Sequence, residues 1–263
     1  MMIQLLIEIV LLYSQNMNEN NNISGVKLIA LHLIPGIILT LVFIPLALAA
    51  NHYGLPTLLS MYIAMSIGII PVLLGYLFFI GKKYNNTFSL KGIIKYRQKI
   101  PTWQYFVFIP VIIAVVVGIF FAFSSIDSLI LNKIFFWIPD WFKITQETST
   151  AGFSKMILVI TFSLGIVING ILAPFAEELY FRGYLLPRMK SFGKWAPLIN
   201  TSLFSLYHFF SPWQFFTRIL AILPMAYSIW WKKNIYIGII AHCFLNILTV
   251  VMLMINSGIF IKG

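Results

Sequence analysis

Five polar residues in the second half of this 263-residue chain have the types and spacing for acid–base chemistry: Glu177, Glu178, His208, His242 and Asn246. All of them lie inside hydrophobic runs. A charge at the centre of a membrane helix costs roughly 2.5–3.5 kcal/mol on insertion scales, so ionisable residues there are rare and mostly functional. On a helix, Glu178 and Arg182 are four residues apart with the acid N-terminal, the favourable order for a same-face ion pair. Glu177 points about 100° away and has no partner in its own helix. Phe204 and His208 share a face in FSLYH, as His242 and Asn246 do in HCFLN. Counting about 1.5 Å per residue from the span ends puts Glu177, His208, His242 and Asn246 in one band near mid-membrane. A carboxylate and two imidazoles at one depth can activate water and stabilise an oxyanion. Taken singly, each has a plainer reading: Phe204 as core, Asn246 as an interhelical hydrogen bond, each histidine as packing.

The elements that must position these groups are transmembrane helices. Only 10% of the residues are charged, against about 25% in a soluble domain, and 60% are hydrophobic. The fold class is therefore an all-α polytopic transmembrane bundle of about seven spans, eight if residues 1–14 insert. Residues 1–26 read as an interfacial helix followed by a polar, Asn-rich linker. Residues 27–155 form an N-terminal transmembrane region with spans at 28–50, 58–80 and 105–124. It includes a basic loop at 81–104 and an amphipathic outer segment at 125–155 carrying Trp137 and Trp141. Residues 156–256 hold the last four spans, at 156–186, 195–210, 215–231 and 235–255. Pro174 should kink the first of these just before Glu177 and leave backbone carbonyls short of donors.

The net charge of +11 comes from basic residues set between apolar runs, which excludes a nucleic-acid-binding face and marks cytoplasmic loops. Loop 81–104, with Lys82, Lys83, Lys91, Lys95, Arg97 and Lys99 and no acid, is the strongest marker. With that loop inside, most of the basic residues are cytoplasmic, while Lys133, Lys143, Lys155, Arg218 and Lys262 fall outside. The expected protein is an integral membrane protein, in a bacterial plasma membrane, with its N-terminus in the cytoplasm.

Several other chemistries are excluded by inventory. Asp127 and Asp140, the only aspartates, fall outside the spans, so no intramembrane aspartic dyad is expected. There is no G-x-S-x-G and no H-E-x-x-H. Ser205, three residues from His208 on one helix, reads as a neighbour and not an activated nucleophile. Cys243, the single cysteine, reads as a small packing residue, and His32 as a satisfied core histidine.

Glu177-Glu178-x-x-x-Arg182, Phe204-x-x-x-His208 and His242-x-x-x-Asn246, in that order on three apolar helices, resemble the CPBP family. These are the CAAX-protease and bacteriocin-processing (Abi) proteins, related to type II CAAX prenyl endopeptidases. The resemblance covers roughly residues 156–256 as a catalytic core. It implies an intramembrane endopeptidase in which Glu177 and His208 activate water, and His242 and Asn246 hold the oxyanion. Glu178, Arg182 and Phe204 would give structural support. No cofactor is expected. The alternative is one divalent ion, zinc, on Glu177, His208 and His242, since members are often labelled metalloproteases and a His₂Glu set suits catalytic zinc. The expected partners are a peptide or membrane-anchored protein substrate and the lipid bilayer, with no nucleic acid. A non-catalytic role of the same fold, in bacteriocin self-immunity or as a membrane scaffold, is the alternative function. A proton-coupled transporter would predict inverted repeats, which the sequence does not show.

Overall fold

The computed structural model describes residue 23 and residues 25–144 and 152–259. The interfacial helix expected at residues 1–14 lies outside the described residues. The described chain is a bundle of seven helices: α1 (Gly25–His52), α2 (Thr57–Asn85), α3 (Thr102–Lys133), α4 (Lys155–Arg188), α5 (Ala196–Leu206), α6 (Phe215–Lys232) and α7 (Tyr236–Asn256). Five of them, α1 to α4 and α7, are long and apolar enough to cross a membrane. Helix α5, with 11 residues, is about 16 Å long against a hydrocarbon layer of about 30 Å. The span expected at 195–210 is therefore a half-length helix followed by non-helical chain, and His208 lies beyond its end.

The outer segment also differs from expectation. Helix α3 continues through Lys133, and residues 134–144 form turns in place of a short amphipathic helix. Ile138 and Phe142 in these turns are buried against α1, with Phe43 and Phe142 rings 5.3 Å apart. Trp137 is exposed. Asp127 lies on the extension of α3, buried, where it accepts a 2.6 Å hydrogen bond from the Thr217 hydroxyl on α6. Asp140 is exposed and paired with Lys143 at 2.9 Å.

At Pro174 the winding of α4 changes. Proline lacks the N–H that would satisfy the carbonyl one turn earlier and clashes with that carbonyl. In α4 the misfit is taken up upstream by a π-helical stretch, Ile168–Leu172, and a second π stretch follows over Glu178–Leu185. Helix α2 does the same before Pro71, with a π stretch at Met65–Ile69. Such widened turns concentrate at functional sites.

Polar ties fix α4 within the bundle. The Tyr180 hydroxyl donates to Leu31 O on α1 at 2.9 Å. His32 donates from Nδ1 to Leu28 O at 2.8 Å and receives Asn200 Nδ2 from α5 at 3.0 Å on Nε2. Asn200 also donates to Phe181 O on α4 at 3.1 Å, so His32 is a satisfied core residue, as its sequence setting implied. The basic loop is pinned to the end of α4 through Lys95 N to Gly183 O at 2.8 Å. It is pinned to the α6–α7 turn through Ile235 N to Tyr96 O at 2.7 Å and Asn234 Nδ2 to Gln98 O at 2.7 Å. Loop 81–104, the end of α4 and the turn bearing Lys232 and Lys233 thus sit at one end of the bundle.

Gly36 on α1 meets the backbone of Tyr207, leaving no room for a side chain. A methyl group there would displace the chain that follows α5. Gly36→Ala is expected to cost about 1–3 kcal/mol by overpacking. It should also lower activity, because Tyr207 and His208 move together; thermal unfolding and turnover of the same preparation check both.

Candidate active site

Glu177 ends the α-helical turn Ala173–Glu177, and Glu178 opens the following π stretch. Glu178 is completely buried. Its Oε1 lies 3.3 Å from Arg182 Nη1, the ion pair expected from their spacing. The contact is Coulombic and not an aligned hydrogen bond, since none of the three Arg182 side-chain nitrogens has a hydrogen-bond partner among the described residues. The Arg182 guanidinium also sits 3.8 Å from the centre of the Phe204 ring. Phe204 is more than core filler, because its ring packs against that cation and against both imidazoles. It stands edge-on to His208 at 4.9 Å and to His242 at 6.3 Å.

Glu178 has a second partner that its sequence did not disclose. Its Oε1 is 3.0 Å from His242 Nδ1 on α7. A carboxylate accepts, so Nδ1 carries the proton and Nε2 turns toward Glu177, whose Oε2 is 3.8 Å away. The approach depends on Gly238, one turn before His242, where an added Cβ would fall 2.7 Å from Glu178 Oε2.

Glu177, partnerless in its own helix, takes its partners from other elements. Its Oε1 accepts a hydrogen bond from the Tyr207 hydroxyl. His208 donates from Nδ1 to Phe204 O at 2.8 Å, which leaves the Nε2 lone pair as its free hydrogen-bonding atom. Asn246 uses one N–H on Asn169 O in the π stretch of α4, at 2.9 Å. That carbonyl belongs to the stretch disturbed by Pro174, so the shortage of donors expected there is met from α7.

Glu177, Phe204, His208, His242 and Asn246 all line one cavity of about 560 Å³, within the usual size range of ligand pockets. Glu178 and Arg182 stand behind it. Three contributors were not recognisable as site residues from sequence: Tyr207, Gly238 and Arg218. Arg218, counted above among outer loop charges, is buried and lines the cavity. An arginine inside an apolar span without an acid at helical spacing was the available signal for it. Arg182 and Arg188 are likewise buried in α4 and do not belong to a loop. Among the described residues, no group of three or more His, Cys, Asp or Glu side chains is placed to hold a metal ion.

The bundle and this polar cavity define an integral membrane protein with a buried acid–imidazole site. Residues 156–248 match the family described as type II CAAX prenyl endopeptidase Rce1-like. That match covers less than half of the chain and contains every candidate site residue. Over those residues the chain is similar to the CAAX-protease family. No curated protein and no solved structure matches the chain.

Proposed function

We propose that the protein is an endopeptidase that hydrolyses a peptide bond of a membrane-associated peptide or protein by an activated water. The observation that carries this reading is the meeting of Glu177 from α4, His208 from the α5–α6 loop, and His242 and Asn246 from α7 around one cavity. Glu177 takes a proton from the water as its oxygen attacks the carbonyl carbon, and His208 Nε2 accepts the second water O–H and orients it. The carbonyl oxygen becomes an oxyanion, held by the second N–H of Asn246 and by His242 Nε2 when that nitrogen is protonated. The proton on Glu177 then passes to the amine nitrogen as the C–N bond breaks. Tyr207 fixes one oxygen of Glu177, and Glu178 fixes the face that His242 presents.

The reaction is read as metal-free, because Asn246 beside the imidazoles suits an oxyanion donor better than a neighbour of a zinc ion. Turnover that persists in chelator, with no zinc in the purified protein, is expected. The substrate is a leader peptide, a membrane-anchored regulator or a prenylated tail. The bonded contacts between loop 81–104, the end of α4 and the α6–α7 turn support placing that end of the bundle in the cytoplasm. The test is mass spectrometry of new peptide termini in membranes of cells producing the wild-type protein or His208→Ala at equal levels. New termini confined to the wild type are expected. Identical termini in both would remove the hydrolase reading and leave immunity or scaffolding.

A further inference from the structure

Arg218 is the one charged residue of the cavity that the chemistry above does not use. It stands in the first turn of α6, where a cation opposes the helix macrodipole, and it is buried. Arg182, the other buried arginine beside the site, has Glu178. Arg218 has no carboxylate within ion-pair distance among the described residues. The nearby Asp127 is engaged by Thr217. The guanidinium instead holds neutral groups: Nη2 donates to Ser211 Oγ at 2.7 Å and to Gln214 Oε1 at 3.0 Å, and Nη1 reaches toward Ser205 O at 3.5 Å. Neutral acceptors fix its orientation, and the carboxylates of Asp127 and Glu177 act on it only from beyond ion-pair distance. A local arrangement that is unfavourable on both counts is expected where a ligand supplies the missing partner.

We propose that Arg218 is the carboxylate-binding end of the cavity and selects substrates bearing an anionic group, either a peptide's C-terminal α-carboxylate or an acidic side chain. Arginine suits this role because its planar fork matches a carboxylate and its charge does not depend on pH. The rest of the cavity wall is mostly apolar, with Leu58, Met61 and Phe120 among its residues, so the ligand is an apolar peptide with one anionic group. This inference names the substrate class of the site described under the proposed function and rests on that site. Its plainest competitor is a clamp: Arg218 touches Ser205, Ser211 and Gln214, which flank His208, and could act solely by holding that loop.

The test separates these and does not require turnover. A fluorescent apolar hexapeptide is made as the free acid, as the C-terminal amide, and as the amide with one internal aspartate. Binding of each to the full-length, detergent-solubilised Glu177→Gln protein is measured by anisotropy. At least one acidic peptide is expected to bind about tenfold or more tighter than the neutral amide, and which one does so identifies the source of the carboxylate. In Glu177→Gln/Arg218→Gln the ratio should fall to near one, and in Glu177→Gln/Arg218→Lys it should be partly kept. No measurable binding of either acidic peptide, equal binding of all three, or a ratio unchanged by Arg218→Gln would overturn the proposal. Weakening of all three peptides by one common factor would assign Arg218 to the clamp. Acid-selective binding without any cleavage by the wild type would sustain this inference while refuting the hydrolase.

Discussion

Glu177→Gln is expected to lower kcat/KM by about 10²–10⁴-fold, the usual contribution of a general base, with no loss of folded protein. Glutamine keeps the shape of the side chain, and its carbonyl oxygen can still accept the Tyr207 hydroxyl that Glu177 accepts. What it loses is the capacity to take a proton from water. The loss should therefore appear in kcat, with KM little changed, because the carboxylate acts on water and not on the substrate's ground state. Purified wild type and variant would be compared on one peptide, with unfolding temperature as the control. A variant retaining most of the wild-type kcat would remove Glu177 from its assigned role.

The second large effect concerns stability. Arg182→Ala is expected to destabilise the protein by about 3–5 kcal/mol, since it leaves the fully buried Glu178 without its cation. It also strips the guanidinium from the Phe204 ring, on which His208 and His242 rest edge-on. Replacing both charges by apolar side chains of similar size, as in Glu178→Leu/Arg182→Met, should recover most of the stability, because desolvation of two ions is then avoided. It should not recover activity, because His242 Nδ1 loses its acceptor. Thermal unfolding and turnover of the wild type, Arg182→Ala and the double variant would measure both effects. A loss below about 1 kcal/mol in Arg182→Ala would mean that the pair behaves like an exposed salt bridge.

How much of this was legible in the sequence depended on the range of the interactions. The ion pair Glu178–Arg182 follows from helical spacing alone, and the structure contains it. The helical class and most span limits follow from unbroken apolar runs. Glu177, His208, His242 and Asn246, which counting put at one depth, line one cavity, although the count for His208 assumed a helix that in fact ends at Leu206. Contacts between helices were not legible, because rotation about each helix axis is set by packing. Hence the bond between Glu178 and His242, and the requirement for a glycine at Gly238, came only from the coordinates. Helix ends failed where tertiary structure overrode hydropathy. Residues 207–210 are apolar enough to extend α5 but leave it, and Ser125 to Lys133 are polar enough for a loop but continue α3. Arg218 was assigned to the outer side because charge counting treats each cation as loop unless a partner is visible nearby in sequence.

The early end of α5 has a consequence for the supply of the second reactant. Inside a hydrocarbon layer, hydrolysis is short of its own co-substrate, and a fully helical span would offer a passing solvent molecule nothing to bind. The non-helical chain after Leu206 brings polar groups to the site, the Tyr207 and Ser211 hydroxyls among them, and open backbone persists in a membrane only against protein or a hydrated space. The break that carries His208 into place therefore also provides a polar shelf where solvent can wait beside it.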